Sequence, residues 1–66
     1  MDWPAIVNNQ IIIWKPLPGL DPSLGENSMR IGATVFAQMK VSGKPEDQCH
    51  IAAEKAAFEY HYRVSF

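Results

Sequence analysis

The sequence predicts a small α+β domain: an antiparallel sheet of two to three strands with one C-terminal, alanine-rich helix packed on one face. Three observations lead there. From Met29 to Val41 the residues alternate, with Met29, Ile31, Ala33, Val35, Ala37, Met39 and Val41 on one side and Arg30, Gly32, Thr34, Phe36, Gln38 and Lys40 on the other. A period of two is the pattern of a strand with one buried face. Ile11-Ile12-Ile13 is a β-branched run, stiff at χ1 and suited to extended backbone. Finally, Gln48 to about Tyr62 is rich in alanine and follows Pro45, a residue that sits well at the first position of a helix.

In chain order, Trp3 to Val7 is a short apolar opening, and Asn8-Asn9 suits a tight turn because asparagine tolerates left-handed backbone. This allows a short hairpin with Gln10–Trp14. The isoleucine run is apolar on both faces, which suggests an interior strand or a covered edge. Residues 15–28 form the break, holding Pro16, Pro18, Pro22, Gly19 and Gly25. Missing amide donors and floppy glycines prevent a helix or central strand there. Leu17, Leu20 and Leu24 can pin this loop to the core. It is either a tethered surface loop or one that contacts a partner.

As a strand, Met29–Val41 would be about 43 Å long, beyond the usual length, so Gly32 is the natural place for a bend. A helix from Ser28 is the competing assignment, but Gly32, Thr34, Val35 and Val41 lower helix propensity. Val41 to Lys44 reads as a turn. The helix is expected over 45–61, with Glu46 and Asp47 complementing its N-terminal dipole and His61 and Arg63 its C-terminal end. Tyr60, Tyr62, Val64 and Phe66 alternate again, so a short terminal strand is an alternative for the tail.

Length and composition narrow the function classes. The 66 residues are expected to form a single small domain, which buries only about 60% of its unfolded surface. Cys49 is the only cysteine, so no internal disulfide can reinforce it, and a lone thiol fits a reducing, cytoplasmic setting. Six basic and seven acidic residues give a net charge of −1, which provides no field for phosphates. The segment Met1-Asp2-Trp3-Pro4 lacks the basic and apolar regions of a secretory signal, and no apolar run approaches the ~20 residues of a membrane span. No nucleotide-binding, dithiol or HExxH motif is present. His50 follows Cys49 directly and points about 100° away on a helix, so it cannot serve it as a base. Asp47, His50, Glu54 and His61 share a sector of the helix, but His61 lies about 10 Å beyond Glu54. The expectation is a non-catalytic chain without metal or cofactor.

On the predicted helix, Cys49, Ala53, Ala56 and Tyr60 form a small-residue face for the Ile31, Val35 and Met39 side of the long strand. Ile51, Phe58 and Tyr62 lie opposite. That second apolar face is either covered by the loop or N-terminus, or offered to a partner. The sequence therefore suggests a protein-interaction module, an adaptor, inhibitor or regulatory subunit. Its contact residues would be Ile51, Phe58 and Tyr62 with Pro18 and Leu20 of the loop, and its partner another protein or a second copy of itself.

Val35-Phe36-Ala37-Gln38-Met39-Lys40-Val41-Ser42-Gly43, followed by Ile51-Ala52-Ala53-Glu54-Lys55-Ala56-Ala57-Phe58, resembles the second half of a double-stranded-RNA-binding domain, where strands precede a closing alanine-rich helix. The resemblance covers less than half of the chain. It implies an alternative function in binding RNA. Read from the residues themselves, an RNA- or DNA-binding module would use Arg30, Lys40, Lys44 and Arg63 as cations, with Arg30, Phe36 and Lys40 on one strand face where Phe36 could stack on a base. At the position of the family's lysine cluster stands Lys44-Pro45-Glu46-Asp47, one lysine and two acids, and the family's first helix has no counterpart.

Overall fold

The computed structural model describes residues 2–18 and 24–65. Four elements follow in order: strands β1 (Trp3–Val7) and β2 (Gln10–Trp14), then helices α1 (Glu26–Val41) and α2 (Glu46–Ser65). The fold is α+β, but its organisation differs from the sequence expectation. The sheet is a single two-stranded hairpin, and two helices, not one, form the rest.

The hairpin closes through Asn8 and Asn9, which adopt φ of 52° and 62°. Two consecutive left-handed residues are the signature of a type I′ turn, whose twist matches that of the flanking strands. The register pairs Val7 with Gln10, Ile6 with Ile11, Ala5 with Ile12, Pro4 with Ile13 and Trp3 with Trp14. Trp3, Ala5, Ile12 and Trp14 face the helices, and Trp14 is fully buried.

The segment expected as a long strand is helix α1. Its buried residues are Ser28, Met29, Gly32, Ala33, Phe36 and Ala37, which recur as pairs four apart. That is the stripe of a helix facing a core. The alternation in the sequence arises because α1 is also apolar at Ile31, Val35 and Val41, outside this stripe, and Ile31 is exposed. Ser28 does not cap the helix; it is buried within the first turn, and Gly25 holds the cap position, its carbonyl accepting from the Met29 amide at 3.1 Å. The predicted turn after Val41 is the helix C-cap. Gly43 takes φ of +83°, its amide donates to the Lys40 carbonyl at 3.0 Å, and the Lys44 amide donates to Met39 at 3.1 Å. This is the Schellman arrangement, which satisfies carbonyls left open at a helix end.

Helix α2 runs past the expected end at residue 61 to Ser65, so the tail continues the helix and is not a strand. Cys49 and Ala53 of the expected small-residue face are buried, together with Ala57 beside it, but they pack on α1 rather than on a sheet. Ala56 is only half-buried. The two helices form an antiparallel hairpin, and the β-hairpin lies over α1, with β1 the strand that meets α1 more extensively.

Packing around Gly32 leaves no room for a side chain. A methyl group built there would lie 2.7 Å from Trp14 Cζ3 and 2.9 Å from the Ala53 carbonyl oxygen. The glycine that the alternation marks as a strand bend instead lets the Trp14 ring and the backbone of α2 approach α1 together. Leu24 is buried at the start of α1 and Leu17 is exposed, so one of the three leucines expected to pin the loop does so, and Leu20 lies outside the described residues.

Candidate interaction surface

Two surfaces bear on function: the junction that holds the hairpin on the helices, and the hairpin face turned away from them. At the junction, Trp14 Nε1–H donates to His50 Nδ1 at 3.2 Å. In this geometry Nδ1 is the accepting nitrogen of the imidazole. The Trp14 ring stacks near Phe36, centroids 6.4 Å apart, and His50 tilts on Phe36 at 5.0 Å. His50 therefore supplies the acceptor that a buried indole needs. His50→Leu should lower unfolding free energy by about 1–3 kcal/mol by orphaning that donor, with partial recovery in His50→Gln. Urea titration followed by tryptophan fluorescence measures both; an unchanged midpoint in His50→Leu would show that the bond carries no stability.

On the hairpin's outer face the side chains are Pro4, Ile6, Ile11 and Ile13, all apolar and all exposed. Ile6 is 73%, Ile11 69% and Ile13 50% accessible. The pairing places Ile6 beside Ile11 and Pro4 beside Ile13. A two-stranded sheet normally turns polar residues to water on its outer face. Here the row is continuous and apolar, the kind of surface that marks an interaction site. Sequence reasoning noted that Ile11 to Ile13 is apolar on both faces, yet it did not select this site. The signal was present in Pro4 and Ile6, whose period matches the isoleucines only once the hairpin register is known.

The structure distributes the predicted partner-binding residues over several places. Ile51 is exposed on α2, about 10 Å along the axis from Phe58. Phe58 is half-buried and packs against the core, and Tyr62 is exposed and stacks on it with centroids 6.3 Å apart. Pro18 is exposed, and Leu20 falls outside the described residues. The expected face thus divides into a lone Ile51 and a Phe58–Tyr62 pair.

The residues proposed for nucleic acid do not form a platform. Phe36 is buried in the core beneath Trp14, so it presents no ring to a base. Arg30 is held by Glu26 at 2.7 Å along the exposed side of α1, and Lys40 lies 3.5 Å from Glu46. Lys44 and Arg63 are exposed at the helix connection and near the end of α2. Segment 35–41 is helical, which removes the strand on which the resemblance to a double-stranded-RNA-binding domain depended.

The Cys49 thiol is buried and points at the Lys44 carbonyl, 3.6 Å away, as a packed core residue. Among the described residues no three of His, Cys, Asp and Glu are grouped to hold a metal ion, and no helix is long and apolar enough to cross a membrane. Comparison with protein-family models, with curated proteins and with solved structures finds no match for this chain.

Proposed function

We propose that this chain is a small non-catalytic protein-interaction module, and that its principal contact surface is the outer face of the hairpin. The observation that supports this most strongly is the unbroken apolar row of Pro4, Ile6, Ile11 and Ile13 on a sheet of only two strands. Such a sheet is marginal alone and gains stability from added strands or a second layer. The helices supply a layer to one face only. Ile51 offers a smaller additional contact on α2.

The test is competitive capture from the cells that produce the protein. Immobilised wild type is compared with Ile6→Lys/Ile11→Lys, a pair that charges the outer face and leaves Trp14 and the helix junction in place. Circular dichroism verifies that both are folded. The expected result is a defined set of proteins retained by the wild type and lost from the variant, with Ile51→Lys weakening capture less. Equal capture by wild type and the outer-face variant would overturn the assignment of this surface.

A further inference from the structure

The hairpin has two edges, and they are chemically unequal. A two-residue turn makes Val7 and Gln10 a hydrogen-bonded pair, so the hydrogen-bonded pairs continue at Ala5–Ile12 and Trp3–Trp14. The intervening residues point their backbone groups outward. On β1 these are Pro4 and Ile6; on β2 they are Ile11 and Ile13. Pro4 carries no amide hydrogen, so the β1 edge has lost one of its two outward donors, which is a recognised way of blocking an edge. Helix α1 also lies closer to β1. The β2 edge keeps both donors and both acceptors. Among the described residues, no backbone hydrogen bond outside the strand pairing engages Ile11 or Ile13.

We infer that β2 pairs antiparallel with β2 of a second copy of this chain, about a two-fold axis at Ile12. The inference deepens the interaction reading above and rests on it in one respect: the two outer rows that edge pairing brings side by side are the proposed contact face. What favours a copy of the same chain is the pair of side chains that meet: both outward positions of β2 are isoleucine, exposed on the same face, and β-branched residues make favourable cross-strand pairs. Placing the axis at Ile12 sets Ile11 opposite the partner copy's Ile13 and the reverse. These are the residues whose amides and carbonyls point outward, and each such pair exchanges two N–H···O bonds. The edge is therefore complementary to itself without any slip. The same axis sets Gln10 opposite Trp14 and Asn9 opposite Lys15, so no like charges meet.

The outcome is a four-stranded sheet in the order β1-β2-β2-β1. Pro4 stands on both outer strands, so pairing closes at two copies and does not propagate into a fibre. The two outer rows become neighbours and form one plate of eight apolar side chains, while both helical layers lie on the opposite face. The contact is a pair of five-residue edges, which places it in the small, transient class of interfaces.

Sedimentation equilibrium on the full chain, over about two decades of concentration centred near 100 µM, measures the pairing. Three proteins are compared. Wild type is expected to pass from monomer to dimer and no further. Ile13→Pro removes the outward donor but none of the hairpin's own bonds, just as Pro4 does on the facing strand, and should weaken dimerisation by about tenfold or more. Ile13→Ala trims the same side chain, keeps the amide, and should retain most of the association. Amide exchange read by NMR gives a second measurement: the Ile11 and Ile13 amides should become protected as concentration rises, while the inward Ile12 amide is protected throughout.

A wild type that stays monomeric over the whole range overturns the inference. So does a dimer lost equally in Ile13→Pro and Ile13→Ala, because that pattern belongs to stacking of the outer faces. A dimer without concentration-dependent protection of Ile11 and Ile13 overturns it as well, and that measurement stands even if Ile13→Pro does not fold. The interaction reading is judged separately: a monomer can still lose its captured proteins on Ile6→Lys/Ile11→Lys, and a dimer can fail that test.

Discussion

Gly32→Ala is expected to destabilise this protein, against the ordinary sign of that substitution. In an exposed helix interior, alanine for glycine gains about 0.5–1 kcal/mol, because glycine loses more backbone freedom on folding. Here the added methyl would stand 2.7 Å from Trp14 Cζ3, 3.0 Å from Trp14 Cη2 and 2.9 Å from the Ala53 carbonyl oxygen. The last contact is backbone, so relief requires α2 to move away from α1. Overpacking of this kind costs about 1–3 kcal/mol and sometimes more, enough to outweigh the propensity gain. A 66-residue domain has a total stability of only about 3–10 kcal/mol. Urea denaturation should show a lower midpoint with an unchanged slope. A midpoint raised by Gly32→Ala would mean that the helices and Trp14 do not meet as closely as described.

Trp14→Ala should have the larger effect. The ring is fully buried where the hairpin, α1 and α2 meet, and α2 reaches the hairpin through this side chain rather than through strand contacts. Large-to-alanine changes at aromatic core positions cost about 3–5 kcal/mol, which leaves little or no folded protein in so small a domain. Trp14→Phe keeps most of the apolar volume and removes the need for the His50 acceptor, so its cost should be clearly smaller. The two sites should also be non-additive, because they share one contact. In a Trp14→Phe background the Gly32→Ala penalty should shrink without vanishing, since the Ala53 carbonyl remains. Thermal melts of the four proteins test this. Equal penalties in both backgrounds would place the Gly32 strain entirely on the Ala53 carbonyl.

Local chemistry was legible in the residues at several places. Asn8-Asn9 announced a turn and the β-branched run after it a strand; Pro45 with the following acids announced a helix start; Gly43 announced a reversal of chain direction. Each of these depends on backbone sterics within a few residues, so no distant contact was needed to read it. The small side of α2 was legible too, as Cys49 and Ala53 show, because a stripe of small side chains implies close packing against something. What it packs against was not legible.

The segment Met29–Val41 shows why. Its apolar residues satisfy a period of two along the sequence and a period near 3.6 in the structure. Both patterns are met by the same string because α1 carries Ile31, Val35 and Val41 outside its core stripe. Glycine at position 32 and three β-branched residues argued locally for a strand. The tertiary context reverses the argument: Gly32 sits in a helix because a ring and a carbonyl need the space, and β-branched residues cost only tenths of a kcal/mol in a helix whose packing stabilises it far more. The resemblance to a double-stranded-RNA-binding domain failed with the same segment, since it required a strand at 35–41.

The contact surface divides in the same way. The sequence showed a second apolar face on α2 and left open whether the chain itself covers it; Ile51 of that face is exposed. Phe58 is instead drawn against the core, and the larger uncovered surface is the outer row of the hairpin. By itself the sequence determined the turns at Asn8-Asn9 and after Val41, the start of α2 and the small residues of its inner face, because these follow from φ preferences, missing donors and side-chain size at single positions. Only the tertiary structure decided that α1 is a helix, that Trp14 joins three elements, and which apolar residues stay in water. Those outcomes depend on which surfaces meet, and a residue's burial is a property of its neighbours in space rather than of its place in the chain.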